Sequence, residues 1–332
     1  MNKINNIMGI FGSGRSGTSW LGSIVDSHPQ VIYRFEPFHR LRKTNKTIEQ
    51  LNKKLTSAAL SNEDLIALYQ ALAIADPKTE RPPFFPKHYR NQFGKAGLRP
   101  LAFRFKAIQP IYQWLYTPRH QQPTLIFKEV GMERIMANIL TQTAMKVVYL
   151  VRHPCGVVNS KSRGYQQGVM PIDRHNIIIQ RLEKNNPALA ERYVPQFSQL
   201  SFEEKEALSW RLDLELGIGA TQNQENALII IYEQLCADPM NHAQQIFNHF
   251  NLECSPQTQQ FLNSLTTSAN HKTRSIVKEL TVDNYFSVLR NPNQMKDKWK
   301  NQLSTEAQQR ILAVVKDSPA FQFCAQLGNW EV

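Results

Sequence analysis

The chain has 332 residues, 42% hydrophobic and 20% charged, with 14 glycines and 18 prolines. That is ample apolar material for a buried core, and it excludes a disordered polymer or a collagen-like repeat. Lys and Arg number 39 against 27 Asp and Glu, and the net charge of +12 favours an anionic partner: nucleic acid, a membrane surface, or a phosphorylated or sulfated small molecule.

In chain order, a buried strand is predicted at Ile7–Phe11, followed at once by the loop GSGRSG and the helix-like stretch TSWLGSIVDSH. A second strand is predicted just before the segment FEPFH. Short, wholly apolar runs recur at 124–127, 146–151 and 227–232, and they suit the centre of a parallel sheet covered on both faces. Helix-period segments lie at 133–142, 155–162, 202–221, 241–250 and 305–316. This alternation predicts an α/β fold, a doubly wound sheet of mostly parallel strands with helices on both faces.

Two regions interrupt the alternation. Residues from about 41 to 122 hold two helix-like stretches and then the basic, Pro-rich, aromatic segment RPPFFPKHYRNQFGKAGLRP. An insertion of that length reads as a helical and loop cap on the substrate side. Residues 163–200 are polar and mixed, and read as helix plus loop over the same cleft. Neither is flanked by a Gly/Ser linker, so 1–332 is read as one domain. Cys155, Cys236, Cys254 and Cys324 contain no CxxC pair and read as reduced thiols. The start MNKINNIMGI lacks the apolar region of a secretory signal, and no apolar run approaches the ~20 residues of a membrane span. A cytoplasmic protein without a membrane span is expected.

The sharpest local signal is Gly12-Ser-Gly-Arg-Ser-Gly17-Thr-Ser-Trp20 between strand and helix. A glycine-rich turn feeding a helix N-terminus presents free N–H groups to a phosphate or sulfate. The spacing imitates an ATP-type P-loop, but Thr18 and Ser19 stand where that pattern demands Lys and Ser/Thr, and the basic residue is Arg15 inside the loop. The later segment VVYLVRHPCGVVNS has a strand ending in Arg152, a turn at Pro154 and a helix bearing Ser160. Arg152 leaves the carboxyl edge of the sheet, where open α/β sheets bind ligands, and Ser160 about two turns into the helix can face the same anion. An Arg salt-bridged on the surface is the plainer reading of that position.

Together GSGRSGTSWL and VVYLVRHPCGVVNS resemble the sulfotransferases that use 3′-phosphoadenosine 5′-phosphosulfate (PAPS). IIIYEQLCADP resembles the family's strand followed by Tyr-Glu-x-Leu, and MKDKWKNQLSTEAQQRI its late Trp-Lys-Asn segment, part of a closing lid. The matches run in family order over nearly the whole chain except the insertion. The resemblance implies a P-loop-like fold and sulfuryl transfer from PAPS to a hydroxyl or amine of a small-molecule, glycan or lipid acceptor. Neither a metal nor nucleic acid has a part in that reading. It implies that Arg15, Ser16, Gly17, Thr18 and Ser19 wrap the 5′-phosphosulfate, and that Arg152, Ser160 and Tyr232 meet the 3′-phosphate. Trp20 either stacks on adenine or is a core residue of the first helix. Lys128 matches a lysine that neutralises charge on the transferring group.

The base departs from the cytosolic branch, whose His two residues after that lysine is here Val130. HPQVIYRFEPFH instead resembles the carbohydrate- and tyrosine-directed branches, with Glu36 standing 21 residues past Arg15. Glu36 is therefore the expected base and His39 the runner-up. Pro292-Asn293-Gln294 replace the usual Arg-Lys-Gly run, so either Arg290 takes over or the 3′-phosphate has fewer contacts. A P-loop kinase or other nucleotide-dependent transferase is the rival enzyme, disfavoured by the missing lysine. A basic nucleic-acid-binding protein is the other rival, but no helix-turn-helix, zinc-finger or RNA-recognition pattern is present.

Overall fold

Five strands of five residues each carry the molecule: β1 Ile7–Phe11, β2 Val31–Phe35, β3 Thr124–Lys128, β4 Val147–Val151 and β5 Ala227–Ile231. All pair in parallel, in the order β2-β3-β1-β4-β5. The computed structural model describes residues 6–57, 60–119, 123–170, 175–266 and 291–330. Helices α1 Thr18–Asp26 and α2 Pro37–Arg40 flank β2. Between β2 and β3 come α3 Lys46–Ser57, α4 Asn62–Ala73, α5 Lys95–Arg104 and α6 Gln109–Tyr116. Then α7 Glu133–Gln142 leads to β4, and α8 Pro154–Gln166, α9 His175–Asn185, α10 Pro187–Tyr193 and α11 Phe202–Thr221 lead to β5. The chain closes with α12 Tyr232–Ala237, α13 Pro239–His249, α14 Pro256–Thr266, α15 Pro292–Lys296, α16 Thr305–Val315 and α17 Pro319–Gly328.

Alternation along the strands explains why they read as unbroken apolar runs. Met8 and Ile10 of β1 join Val148 and Leu150 of β4 in one layer, against Trp20, Ile24 and Phe247. Ile7, Phe11, Val147 and Tyr149 point the other way, against Met136, Trp210 and Ile311. A strand buried on both faces has no polar register to show. The central helix α11 starts at a capping box, Ser201 with Glu204, and buries Trp210, whose Nε1–H donates to the Arg152 carbonyl at 3.2 Å.

The insertion divides in two. Ile48, Leu51 and Leu55 of α3 and Leu65, Leu68 and Leu72 of α4 join the same apolar layer as α7, so these helices belong to the body of the fold. Beyond Ala73 a separate small core forms around Ala75, Ala102, Tyr112 and Tyr116. A buried charged network fastens this second part to β2. Arg34 donates through Nε to the Leu72 carbonyl at 2.7 Å and through a terminal nitrogen to Glu80 at 3.1 Å. Glu80 also accepts from Lys95 Nζ at 2.9 Å and from the Tyr112 hydroxyl. In the other interrupting region, α9 and α10 pack on α11 through Ile178, Leu182 and Leu189, and Arg181 pairs with Asp213.

Candidate active site

Because every strand is parallel, the carboxyl ends of β1, β3 and β4 share one edge. From β1 the chain turns to β2 and β3 on one side, then crosses to β4 and β5 on the other. The crevice beside β1 and β4 is therefore the topological switch point, where such sheets bind ligands. The glycine-rich loop fills this position. Arg15 and Gly17 both adopt left-handed backbone angles, φ 75° and 99°. A Cβ at residue 17 would also lie 2.5 Å from the Tyr232 ring, so the position requires glycine twice over. Helix α1 then starts without a side-chain cap, which leaves first-turn N–H groups available to an anion.

Three distant segments meet at this loop. Arg15 Nε donates to Ser160 Oγ at 3.1 Å. Arg152 donates to the Arg15 carbonyl at 3.2 Å and to the Met295 carbonyl at 3.4 Å, and its guanidinium lies 4.4 Å from the Tyr232 ring centre. Arg152 is only 8% exposed, yet among the described residues no carboxylate pairs with it and its Nε has no hydrogen-bond partner. Buried guanidinium groups ordinarily pair with an anion, so this residue is suited to phosphate. Ser16 Oγ is likewise buried without a partner. Trp299 stacks on His153 at 4.4 Å and nearly parallel, and its Cδ1 lies 3.3 Å from where a Gly156 Cβ would stand. The late segment thus rests against Arg152. Trp20 is buried in the apolar layer of α1, edge-on to Tyr232 at 6.1 Å, with no hydrogen-bond partner for its Nε1–H among the described residues. Arg290 lies outside the described residues.

A second cluster sits where β2 and β3 end in register, Phe35 opposite Lys128. Lys128 Nζ donates to Glu36 Oε1 at 2.6 Å, and Arg40 Nε stands 3.7 Å from Glu36 Oε2. The Phe35 ring is bordered by Lys128 at 4.2 Å and by Arg40 and Arg81 at 4.8 Å each. Burial works to raise the Glu36 pKa, but Lys128, Arg40 and His39 outweigh it and hold the carboxyl below its ordinary value. Burial likewise lowers the Lys128 pKa, against the pull of Glu36. Desolvation and the cations Arg40 and Arg99 bring Arg81 down to about 10. Glu36 itself is left-handed, φ 49° and ψ 52°, a conformation that costs a side chain of this kind about 1 kcal/mol or more.

His39 reaches the same place by another route. Its Nδ1 lies 2.7 Å from Glu129 Oε2, and Glu129 Oε1 accepts the Phe38 N–H at 2.6 Å. Burial pushes the Glu129 pKa up, against the influence of His39. The Glu129 N–H donates to the Ile10 carbonyl and the Gly131 N–H to the Gly12 carbonyl, at 2.9 and 3.2 Å. The two clusters are thereby joined through the exits of β1 and β3.

Of the residues singled out in the sequence, the structure brings Arg15, Gly17, Arg152, Ser160 and Tyr232 into contact as one group. Ser16, Thr18 and Ser19 lie in or just after the same loop, Thr18 with its Cγ2 3.0 Å from where a Gly12 Cβ would stand. Lys128, Glu36 and His39 form the second group. Sequence reasoning passed over Glu129, Arg40 and Arg81. Glu129 had a signal, since it follows Lys128 directly at a strand end on the ligand edge. Arg81 had none, because it is brought in by a loop 45 residues after Glu36.

A parallel sheet with a glycine-rich loop of this kind at its switch point defines a P-loop-like group-transferase fold. The chain belongs to the sulfotransferase family, whose domain model matches residues 8–325. It is an enzyme that transfers a sulfuryl group to an acceptor. Among solved structures it is similar to the sulfotransferase domain from the curacin biosynthetic pathway, at 15% identity and a TM-score of 0.46 over 94% of this chain and 97% of that one. A mouse sulfotransferase complexed with PAP, 3′-phosphoadenosine 5′-phosphate, has 12% identity and a TM-score of 0.47 over 98% and 89%. A sulfotransferase from Alicyclobacillus acidocaldarius has 10% identity and a TM-score of 0.43 over 98% and 96%. No curated protein matches the chain.

Proposed function

We propose that the Arg15–Arg152–Ser160–Tyr232 group holds the donor and that the Glu36–Lys128 group carries the chemistry. The observation that supports this most is Arg152, buried and hydrogen-bonded to the backbone of the glycine-rich loop. No carboxylate among the described residues stands at ion-pair distance from it, and the buried Glu233 acts on it only from farther off. In this reading the N–H groups of Gly17, Thr18 and Ser19 and the side chains of Arg15 and Ser16 hold the 5′-phosphosulfate, and Arg152 with Ser160 and Tyr232 holds the 3′-phosphate. The acceptor oxygen or nitrogen forms a bond to sulfur as the bond from sulfur to the 5′-phosphate oxygen breaks. Glu36 takes the acceptor proton, while Lys128 and Arg15 balance charge on the sulfuryl oxygens and the departing bisphosphate.

The insertion supplies the acceptor side, and Arg40 and Arg81 around Phe35 suit an acceptor with negative charge of its own. The four free cysteines, three of them buried, are in keeping with a reducing compartment such as the cytoplasm. A second reading takes His39 as the base, favoured by its short hydrogen bond to buried Glu129, which would fix the imidazole tautomer.

The donor assignment is tested by binding. A charge-assisted contact to phosphate contributes ~1.5–3 kcal/mol, so Arg152→Ala is expected to weaken PAP by about ten-fold or more. Adenosine 5′-phosphate, which lacks the 3′-group, should lose no more than about two-fold in the same calorimetric titration. Equal losses would make Arg152 a support of the loop rather than a ligand of the 3′-phosphate.

A further inference from the structure

The insertion carries a feature that sulfuryl transfer does not use. Residues 81–119 contain eight Lys and Arg and not one Asp or Glu; Lys87 and Lys95 are buried in ion pairs with Asp26 and Glu80, while Arg90, Arg104 and Lys106 are exposed. Within this stretch α5 and α6 turn Ala102, Tyr112 and Tyr116 inward. Their outer side and its borders expose Phe93, Leu101, Phe103, Phe105, Ile111 and Trp114. These are six of the ten large hydrophobic side chains that stand exposed among the described residues, gathered into 22 positions. Phe93 is 82% exposed and Trp114 59%. Scattered exposed apolar residues are ordinary, whereas a group this dense marks a docking surface.

The cations are interleaved with the rings. Arg90 lies 5.0 Å from the Trp114 ring centre and donates to the Trp114 carbonyl at 2.8 Å, and Arg104 lies 5.9 Å from the Phe105 ring centre. Lys106 follows directly, also exposed. We infer that this face of α5 and α6 docks on an anionic lipid surface, the rings entering the boundary between headgroups and acyl chains and the cations meeting lipid phosphates. No helix among the described residues is long and apolar enough to cross a membrane, so the contact is peripheral.

Charge decides between occupants. A second copy meeting this face across a two-fold axis would set one acid-free cationic surface against another, and they would repel. Nucleic acid would suit the charge but would leave Leu101 and Ile111 without a stacking role. An anionic bilayer satisfies both the apolar and the cationic groups.

The test is flotation with vesicles of phosphatidylcholine alone or with one quarter phosphatidylglycerol. The intact chain is expected to float with the anionic vesicles at least about ten-fold more strongly than with the neutral ones, and to be released by salt. The combined substitution Phe103→Ser, Ile111→Ser and Trp114→Ser removes exposed groups only. It should keep the melting temperature and PAP binding and lose about ten-fold or more of vesicle binding. Arg104→Gln with Lys106→Gln should lose anionic binding and leave neutral vesicles unaffected. The proposal is overturned if anionic and neutral vesicles bind alike, or if the triple variant floats like the intact chain. It is also overturned if sedimentation shows a dimer that the triple variant dissolves, which would assign the face to a second copy.

Discussion

Glu36→Gln is expected to lower turnover by at least ~10²-fold, the usual worth of a positioned base. The amide keeps the size of the side chain and can still accept a hydrogen bond from Lys128, so PAP affinity should hold and the loss should fall on kcat. His39→Ala should cost much less. The reverse result, with His39→Ala inactive and Glu36→Gln largely active, would transfer the role to the His39–Glu129 pair. The pH profile offers a second check. A base acts when ionised, and Lys128, Arg40 and His39 hold Glu36 below its ordinary value despite burial. The acid limb of kcat/KM, which reports the free enzyme, should therefore lie below about pH 4.3. An acid limb well above that value would mean that a different group titrates.

Glu80→Ala should give the largest loss of stability. Glu80 is 6% exposed and is the shared carboxylate of Arg34 and Lys95, themselves 2% and 6% exposed. Removing it strands two buried cations and the Tyr112 hydroxyl, and breaking a buried pair in this way costs about 3–5 kcal/mol. Urea unfolding at neutral pH should show that difference. Burial works to raise the Glu80 pKa, but Lys95, Arg34 and the hydrogen bonds from Tyr112 and Lys95 bring it below its ordinary value. Its contribution is therefore fully present above the unfolded value of about 4.3, and is lost as pH falls through the lower folded value. The gap between the parent chain and the variant should narrow in acid. A gap below about 1 kcal/mol at neutral pH would show that the network is not what fastens the insertion to β2.

The sheet was legible because β1, β4 and β5 are apolar throughout and bounded by polar turns, and β1, α7 and α11 lie where the pattern puts them. The meeting of the glycine-rich loop with Arg152 and Ser160 was legible for a different reason. A glycine-rich turn and a strand-end Arg are local features, and local features survive in sequence. The insertion was harder. Pro100 lies inside α5 and Pro110 in the first turn of α6, and prolines at those places break the helical pattern that the eye follows. The first two helices of the insertion read correctly as helices but not as part of the main core, because α3 packs against α7 and α4 against β3, partners about 50 to 95 positions downstream. The pairing of His39 with Glu129, and of Arg34 with Glu80, likewise joins segments that no short motif connects.

Arg152 ties the glycine-rich loop to the late segment, since one guanidinium donates to the carbonyls of both Arg15 and Met295. These two residues are 280 positions apart. During synthesis the loop leaves the ribosome first, yet it cannot acquire this bracing until almost the entire polypeptide has followed. Contacts so remote in sequence form slowly, because a long loop must close before they are rewarded. A nascent chain halted before residue 290 would hold all five strands and the loop, but not the contact from Arg152 to the late segment. The brace at the switch point is therefore among the last contacts to form, and among the first to be lost when the C-terminal part loosens.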